Sequence, residues 1–405
     1  MTTDAPPDWD PRAPEVLANP MSAYDRMRHR CPVARSDFLH YSIFRHADVM
    51  RVLQDPQTFS SQVSHYVSVP NSMDPPEHAA YRLMIEPYFN TQRITEFAPV
   101  CRRICRDLVA TLPHNDQTGI MFGLAHPFAL RVQCAFLGWP DSLHKPLRQW
   151  IRKKNAATLS GDLQAVSAIA TEFDATIRAL LETRRKAGAD VPDDATTRLM
   201  HESVNGQPLK DAEIVSILRN WTVGELGTLA SSVGIIAYYL ARHPDIQELL
   251  RNRPELVRVA NDEILRICAP LTANRRTPTC PVHIGNTSIP AGERITLIWA
   301  SANRDETVFG DPDEFRLDRN PALNLLYGAG IHACPGAPLA RLELEAMIQA
   351  LLAGTRALEP VGDTPPAPAI YSTGGYHEVV LRIYRHAEKL AGFDSYQRNT
   401  SASEV

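Results

Sequence analysis

Ten residues near the C-terminal end carry the densest chemical signal in the chain: Tyr327-Gly-Ala-Gly-Ile-His-Ala-Cys-Pro-Gly336. Gly328 and Gly330 allow a tight loop, and Cys334 then arrives just before the apolar helical run Ala337 to Leu352. At a helix N-terminus, backbone N–H groups and the helix dipole stabilise a thiolate. A thiolate held there is a nucleophile or a metal ligand, although a free cysteine is also commonly a small buried core residue. Zinc is disfavoured, because His332 and Cys334 make two ligands at most and no second pair stands nearby.

Two other spacings put functional groups on one helical face. Glu263 and Arg266 are three apart and can pair, which by itself describes many solvated surface pairs worth about 0.5 kcal/mol or less. His78 and Arg82, four apart and following Asp74-Pro-Pro76, present two donors to one side, suited to carboxylates. Taken singly, His78, Arg82, Arg276 and His332 are ordinary surface or core residues. Cys101 and Cys105 share a helix face among Arg102, Arg103 and Arg106 with no matching histidine pair, which reads as a partly buried helix. Arg184-Arg-Lys186 ends a helix, where cations favour the dipole.

The Tyr327 to Gly336 loop resembles the haem-thiolate signature of the cytochrome P450 family, Phe-Gly-x-Gly-x-His-x-Cys-x-Gly. Tyr327 replaces the Phe, and every other fixed position matches. Further landmarks follow in order. Glu263-Ile-Leu-Arg266 is similar to the family's Glu-x-x-Arg helix, with Arg319 as the implied third member. His78-Ala-Ala-Tyr-Arg82 resembles the helix that holds the haem propionates, and Arg276 and His332 fall where the family has further propionate donors. Arg275 competes for the Arg276 role. The resemblance runs from about Tyr24 to Val380.

That resemblance implies a mainly α fold with small β sheets (α+β), holding haem b between a long central helix and the Cys334 loop. Cys334 is then the axial ligand of the iron and Thr228 manages protons. Glu225 has three open roles: it relays protons to Thr228, binds a polar or cationic group of the substrate, or hydrogen-bonds a widened turn of the helix. The implied reaction is monooxygenation of a small organic substrate by O2, with electrons from a separate ferredoxin or flavodoxin and its NAD(P)H-dependent reductase. Implied pocket walls are Ser64 to Ser72, Val223 to Thr228, Leu271 to Asn274 and Tyr371 to Tyr376. A peroxide-driven oxygenase is the alternative of the same chemistry, and a non-catalytic haem sensor or electron carrier is the alternative of another class.

Two departures from the family pattern bear on mechanism. The central helix usually carries Ala/Gly-Gly-x-Asp/Glu-Thr, whereas this chain has Gly224-Glu-Leu-Gly-Thr228, counted back from His243-Pro244. Gly227 stands in the acid's place and Glu225 in that of the second glycine, three residues from Thr228 and on its face. Pro335 follows the cysteine directly. Lacking an N–H, it removes one donor to the sulfur and leaves a more electron-rich thiolate, while its fixed φ also suits a helix start.

The elements that must position these residues are mostly helical. Apolar residues at three and four spacing mark Tyr24 to Arg30, Ala47 to Leu53, Glu77 to Asn90, Ile94 to Leu112, Ile120 to Leu137, Ser142 to Thr158, Leu163 to Ala187, Asp211 to Arg242 and Ala340 to Leu352. Pro87, Pro99 and Pro127 start, kink or break the runs that contain them. From Pro278 onward short β-like pieces appear at Val282 to Ile284, Arg294 to Ile298 and Val379 to Ile383, with Tyr41 to Phe44 as an earlier one. Residues 1–20 read as an extended lead-in, 21–385 as one catalytic domain and 386–405 as a tail.

Composition is that of an ordinary globular chain. A chain of 405 residues buries roughly three quarters of its unfolded surface. Lys plus Arg total 42 against 46 Asp plus Glu, so no global basic field draws nucleic acid or anionic lipid. Seven cysteines without a Cys-x-x-Cys pair suit a reducing compartment. With no signal peptide and no stretch of about 18 apolar residues, the sequence-based expectation is a cytoplasmic protein without a membrane segment.

Overall fold

A computed structural model describes residues 7–63, 68–160, 162–369, 371 and 373–386. Residues 64–67 and 372 of the expected pocket walls, 1–6 of the lead-in and 387–405 of the tail lie outside the described residues. Helices dominate, and five of them hold the site: α1 (Glu77–Ile85), α2 (Thr91–Ala110), α3 (Asp211–Arg242), α4 (Val257–Cys268) and α5 (Ala337–Gly354).

Local sequence explains these helices well. The Asn90 side chain caps α2 by accepting from the Arg93 N–H at 3.0 Å. Buried Phe97, Cys101, Cys105 and Leu108 recur at three and four spacing along α2 and face α5. Pro99 is accommodated inside α2, Pro87 sits in a short 3-10 turn, Glu86–Phe89, and Pro127 is at the start of His126–Leu137. The expected extended lead-in is corrected at Pro14–Ala18, which form a short helix because Pro14 presets the first helical φ.

The 32-residue α3 runs from Asp211 to Arg242 and is long and apolar enough to cross a membrane, yet 61% of its most apolar window is buried inside the protein. It is the central core helix. Its regularity is broken once, over Glu225–Leu229, by a widened π turn.

The β structure draws on both ends of the chain. Val33–Ser36, His40–Ile43, Ile295–Leu297, Asn274–Pro278 and Phe59–Ser60 form one sheet in that spatial order. His40–Ile43 runs parallel to Ile295–Leu297, with Tyr41 opposite Ile295, and Ile295 is opposite Arg276 on its other side. A second sheet pairs Thr355–Pro360 and Asp116–Gly119 with Val380–Arg385.

Candidate active site

The Cys334 loop is shaped by backbone demands that only its sequence satisfies. Gly330 has φ +69° and passes so close to Leu53 that a Cβ would stand 2.2 Å from the Leu53 carbonyl oxygen. The Cys334 N–H donates to the Tyr327 carbonyl at 2.8 Å, and Gly336 then caps α5. The backbone N–H groups of Gly336 and Ala337 favour the thiolate electrostatically, so Pro335 does not leave the sulfur without support. Burial pushes the thiol up from its ordinary value, against the Gly336 N–H and the Arg82 charge, which pull it down. Cys334 is exposed, and it opens onto a cavity of about 540 Å³ that it helps to line.

An ion-pair scaffold holds this loop from behind. Arg266 in α4 meets Glu263 through two bonds of 2.8 and 2.9 Å, and the Arg319 Nε reaches the same carboxylate at 2.8 Å. Arg266 is 1% exposed and also donates to the Asn303 and Pro312 carbonyls. In turn the Asn303 side chain accepts from the Leu325 N–H at 2.7 Å, fixing the strand of chain that enters the loop. The pair is therefore buried and fully hydrogen-bonded, unlike an exposed pair of the same spacing.

A second cluster flanks the cavity. The rings of His78 and His332 lie 4.2 Å apart, and the Nε2 atom of each is buried without a partner. Arg276 is buried with one bond, to its neighbour's carbonyl, while Arg275 is exposed, as expected for successive residues on a strand. Burial, then His78 and Arg276, push His332 down to about 4, and burial lowers Arg276 to about 10. The nearby carboxylate of Asp74 is already taken by the Ser60 hydroxyl at 2.5 Å and the Ser61 N–H at 2.8 Å. Arg82 is placed slightly apart, donating to the Ala333 carbonyl at 2.7 Å and to Glu86 at 2.9 Å. This cluster is short of negative charge, and an anion with two carboxylates would satisfy it.

Across the cavity stands the widened turn of α3. The Thr228 hydroxyl donates to the Gly224 carbonyl at 2.6 Å, and the Ser232 hydroxyl to the Thr228 carbonyl at 2.7 Å. Gly224, Glu225 and Thr228 line the cavity. A Cβ at Gly227 would meet nothing within 4 Å, so the family's acid position is vacant of side chain and not blocked.

The cytochrome P450 family profile matches residues 142–368. Cytochrome P450 130 of Mycobacterium tuberculosis is 30% identical over 390 residues, covering 89% of this chain and 93% of that protein. The chain is a cytochrome P450. Linalool 8-monooxygenase of Pseudomonas putida is 28% identical over 82% of this P450 and 88% of its own length. Among solved structures, a mutant of P450 EryK in complex with erythromycin B has a TM-score of 0.83 at 26% identity, covering 93% of this chain and 99% of that one. The protein is a haem b monooxygenase that acts on an organic substrate with O2 and a redox partner. The cavity's residues fit that cofactor: one sulfur exposed to the cavity for iron, and His and Arg donors with free N–H groups for its carboxylates.

Two further features mark the P450 site: Glu343, which the sequence does not single out, and Tyr327, which it shows as a departure from the family pattern. Glu343, on α5, is 0% exposed and both of its carboxylate oxygens lack a partner. Its signal was a charge four residues from both Leu339 and Met347, on the apolar face. Tyr327 is the other: its hydroxyl, absent from the family's Phe, is buried without a partner while Arg341 lies 4.5 Å over its ring. An unpaired buried hydroxyl costs about 1–3 kcal/mol, so Tyr327→Phe is expected to raise unfolding free energy by about 1 kcal/mol with haem content unchanged. Denaturant unfolding measures it, and a less stable variant would show that the hydroxyl has a partner.

Proposed function

We propose that this P450 hydroxylates, epoxidises or dealkylates a compact organic substrate, with Cys334 as the axial ligand and His78, Arg82, Arg276 and His332 as the propionate donors. The observation that carries this reading is one cavity with a sulfur facing into it, buried unpartnered imidazole nitrogens and the Thr228 turn on its wall. When bound, haem supplies O2 activation and oxygen transfer; the protein's part is to hold it, orient the substrate and handle protons. Thr228 keeps its hydroxyl on the Gly224 carbonyl and presents its oxygen to the cavity, and Glu225 supplies the acid that Gly227 lacks.

Support for a compact substrate comes from the loop before α1, which is tied to α3. The Val69 N–H donates to Ser216 at 2.9 Å, and the Asn220 side-chain N–H donates to the Val69 carbonyl at 3.0 Å. Relatives named for oxidising linalool, erythromycin at C-12 and cyclomarin C support oxygen insertion as the reaction and share no single substrate. Electrons from a ferredoxin or flavodoxin are supported by the match to bacterial P450s over nearly their whole length. A cytoplasmic location is supported by seven free cysteines.

Spectral titration of the haem against a compound library identifies the substrate, and turnover is then compared under two regimes. O2 with NAD(P)H, ferredoxin and reductase is expected to give product; product from hydrogen peroxide alone, and none from that system, would replace this reading with a peroxide-driven oxygenase. Glu225→Gln and Thr228→Ala are each expected to lower product per NAD(P)H and raise hydrogen peroxide with substrate affinity kept. A roughly tenfold weaker affinity in Glu225→Gln, equal to about 1.4 kcal/mol, would make Glu225 a substrate contact instead.

A further inference from the structure

The acid missing at position 227 has a structural counterpart on the other side of the turn. Glu225 in α3, half-buried on the cavity wall, and Glu343 in α5, fully buried, meet carboxyl to carboxyl. Three of their four carboxylate oxygens, Glu225 Oε1 with Glu343 Oε1 and Oε2, have no N–H or O–H donor from the rest of the described protein. No arginine, lysine or histidine among the described residues pairs with either. The other titratable groups that face them are the thiols of Cys101 on α2 and Cys334, and the phenol of Tyr327.

Two carboxylates in contact inside protein cannot both be ionised, because each adds its charge to the desolvation cost of the other. With no donor available, the bond between them needs a proton on one of the two. The pair therefore carries at most one negative charge. Burial raises both groups above the ordinary carboxyl range, and Glu343, which also feels the charge of Glu225, is the more strongly raised.

Glu225 lines the cavity within one turn of Thr228, whereas Glu343 is 0% exposed and reaches the cavity through Glu225. We propose that the two glutamates share a proton and act as a single acid, Glu343 storing the proton behind the widened turn and Glu225 presenting it to the Thr228 side of the cavity. In the fully protonated pair each glutamate holds a proton; when Glu225 releases its own, the two share the proton that Glu343 stored, the pair carries a single negative charge, and one solvent proton restores the starting state. Glu343 is thus a positioning residue that works through Glu225. The inference rests on the proton-handling reading of Glu225 and extends it to a residue that contacts neither cofactor nor substrate.

The test uses the haem-loaded enzyme. Infrared spectra at neutral pH are expected to contain a protonated-carboxyl stretch that moves on 13C-glutamate labelling and in D2O, and that disappears in the Glu225→Gln, Glu343→Gln double variant. Its absence from the wild type would overturn the shared proton, a result that needs no variant to fold. In turnover, Glu343→Gln is expected to lower product per NAD(P)H by at least about tenfold, short of the roughly hundredfold that a wholly lost proton donor can cost. Substrate affinity should stay unchanged, and the double variant should be no worse than Glu225→Gln alone, since residues acting as one unit are not additive. Wild-type coupling in Glu343→Gln beside a defect in Glu225→Gln would remove the inference and leave Glu225 as the acid; wild-type coupling in both would remove both.

Discussion

Cys334→His is expected to keep a haem-binding cavity while losing the strongly red-shifted carbon monoxide spectrum of a thiolate-bound iron, and its oxygenase turnover should fall to background. The thiolate donates electron density that an imidazole does not, which is the property that distinguishes oxygen activation from simple ligand binding. No other cysteine lines the cavity: Cys101, Cys105 and Cys134 are buried elsewhere in the helical core. Nor do the described residues hold any group of three His, Cys, Asp or Glu able to take a metal by themselves. Cys334→Ser provides a second variant in case the imidazole does not fit beside Phe89, whose ring is the nearest side chain to Gly336. Either variant retaining the thiolate-type spectrum would show that the ligand is another residue.

Arg276→Ala should release haem far more readily than Arg275→Ala. A charge-assisted hydrogen bond contributes about 1.5–3 kcal/mol, so losing the buried guanidinium corresponds to a rise in haem dissociation of roughly ten- to a hundredfold. Arg276 is 7% exposed and has one internal bond, hence most of its donors are free for an anion. Arg275 points the other way on the same strand and is exposed, where screening makes a charge worth little. Arg82→Ala should also weaken retention, in part because it frees the Ala333 carbonyl next to the ligand. Transfer of haem to an excess of an acceptor protein measures all three, and equal loss from the two neighbouring arginines would remove the assignment of Arg276.

The sequence by itself determined the helical frame and the identity of the Cys334 loop. Helix formation depends on contacts three and four residues apart, so α3 could be delimited at Asp211 and Arg242 from its apolar spacing and the Pro244 that follows. The Cys334 loop was legible because its glycines answer local needs, a left-handed φ at Gly328 and Gly330 and a close approach to Leu53. The tertiary structure decided what depends on residues far apart. Parallel pairing of His40–Ile43 with Ile295–Leu297 crosses some 250 residues, and a strand's partner leaves no local trace beyond alternation. The antiparallel pairing of Asn274–Pro278 with the other edge of Ile295–Leu297 fixes which of Arg275 and Arg276 faces inward, a choice the two identical side chains could not express. The widened turn at Glu225 and the burial of Glu343 against it were likewise invisible, because a carboxylate on an apolar helical face signals a problem and its solution lies on another helix. Local geometry is written in neighbouring residues; charge balance is settled only where distant segments meet.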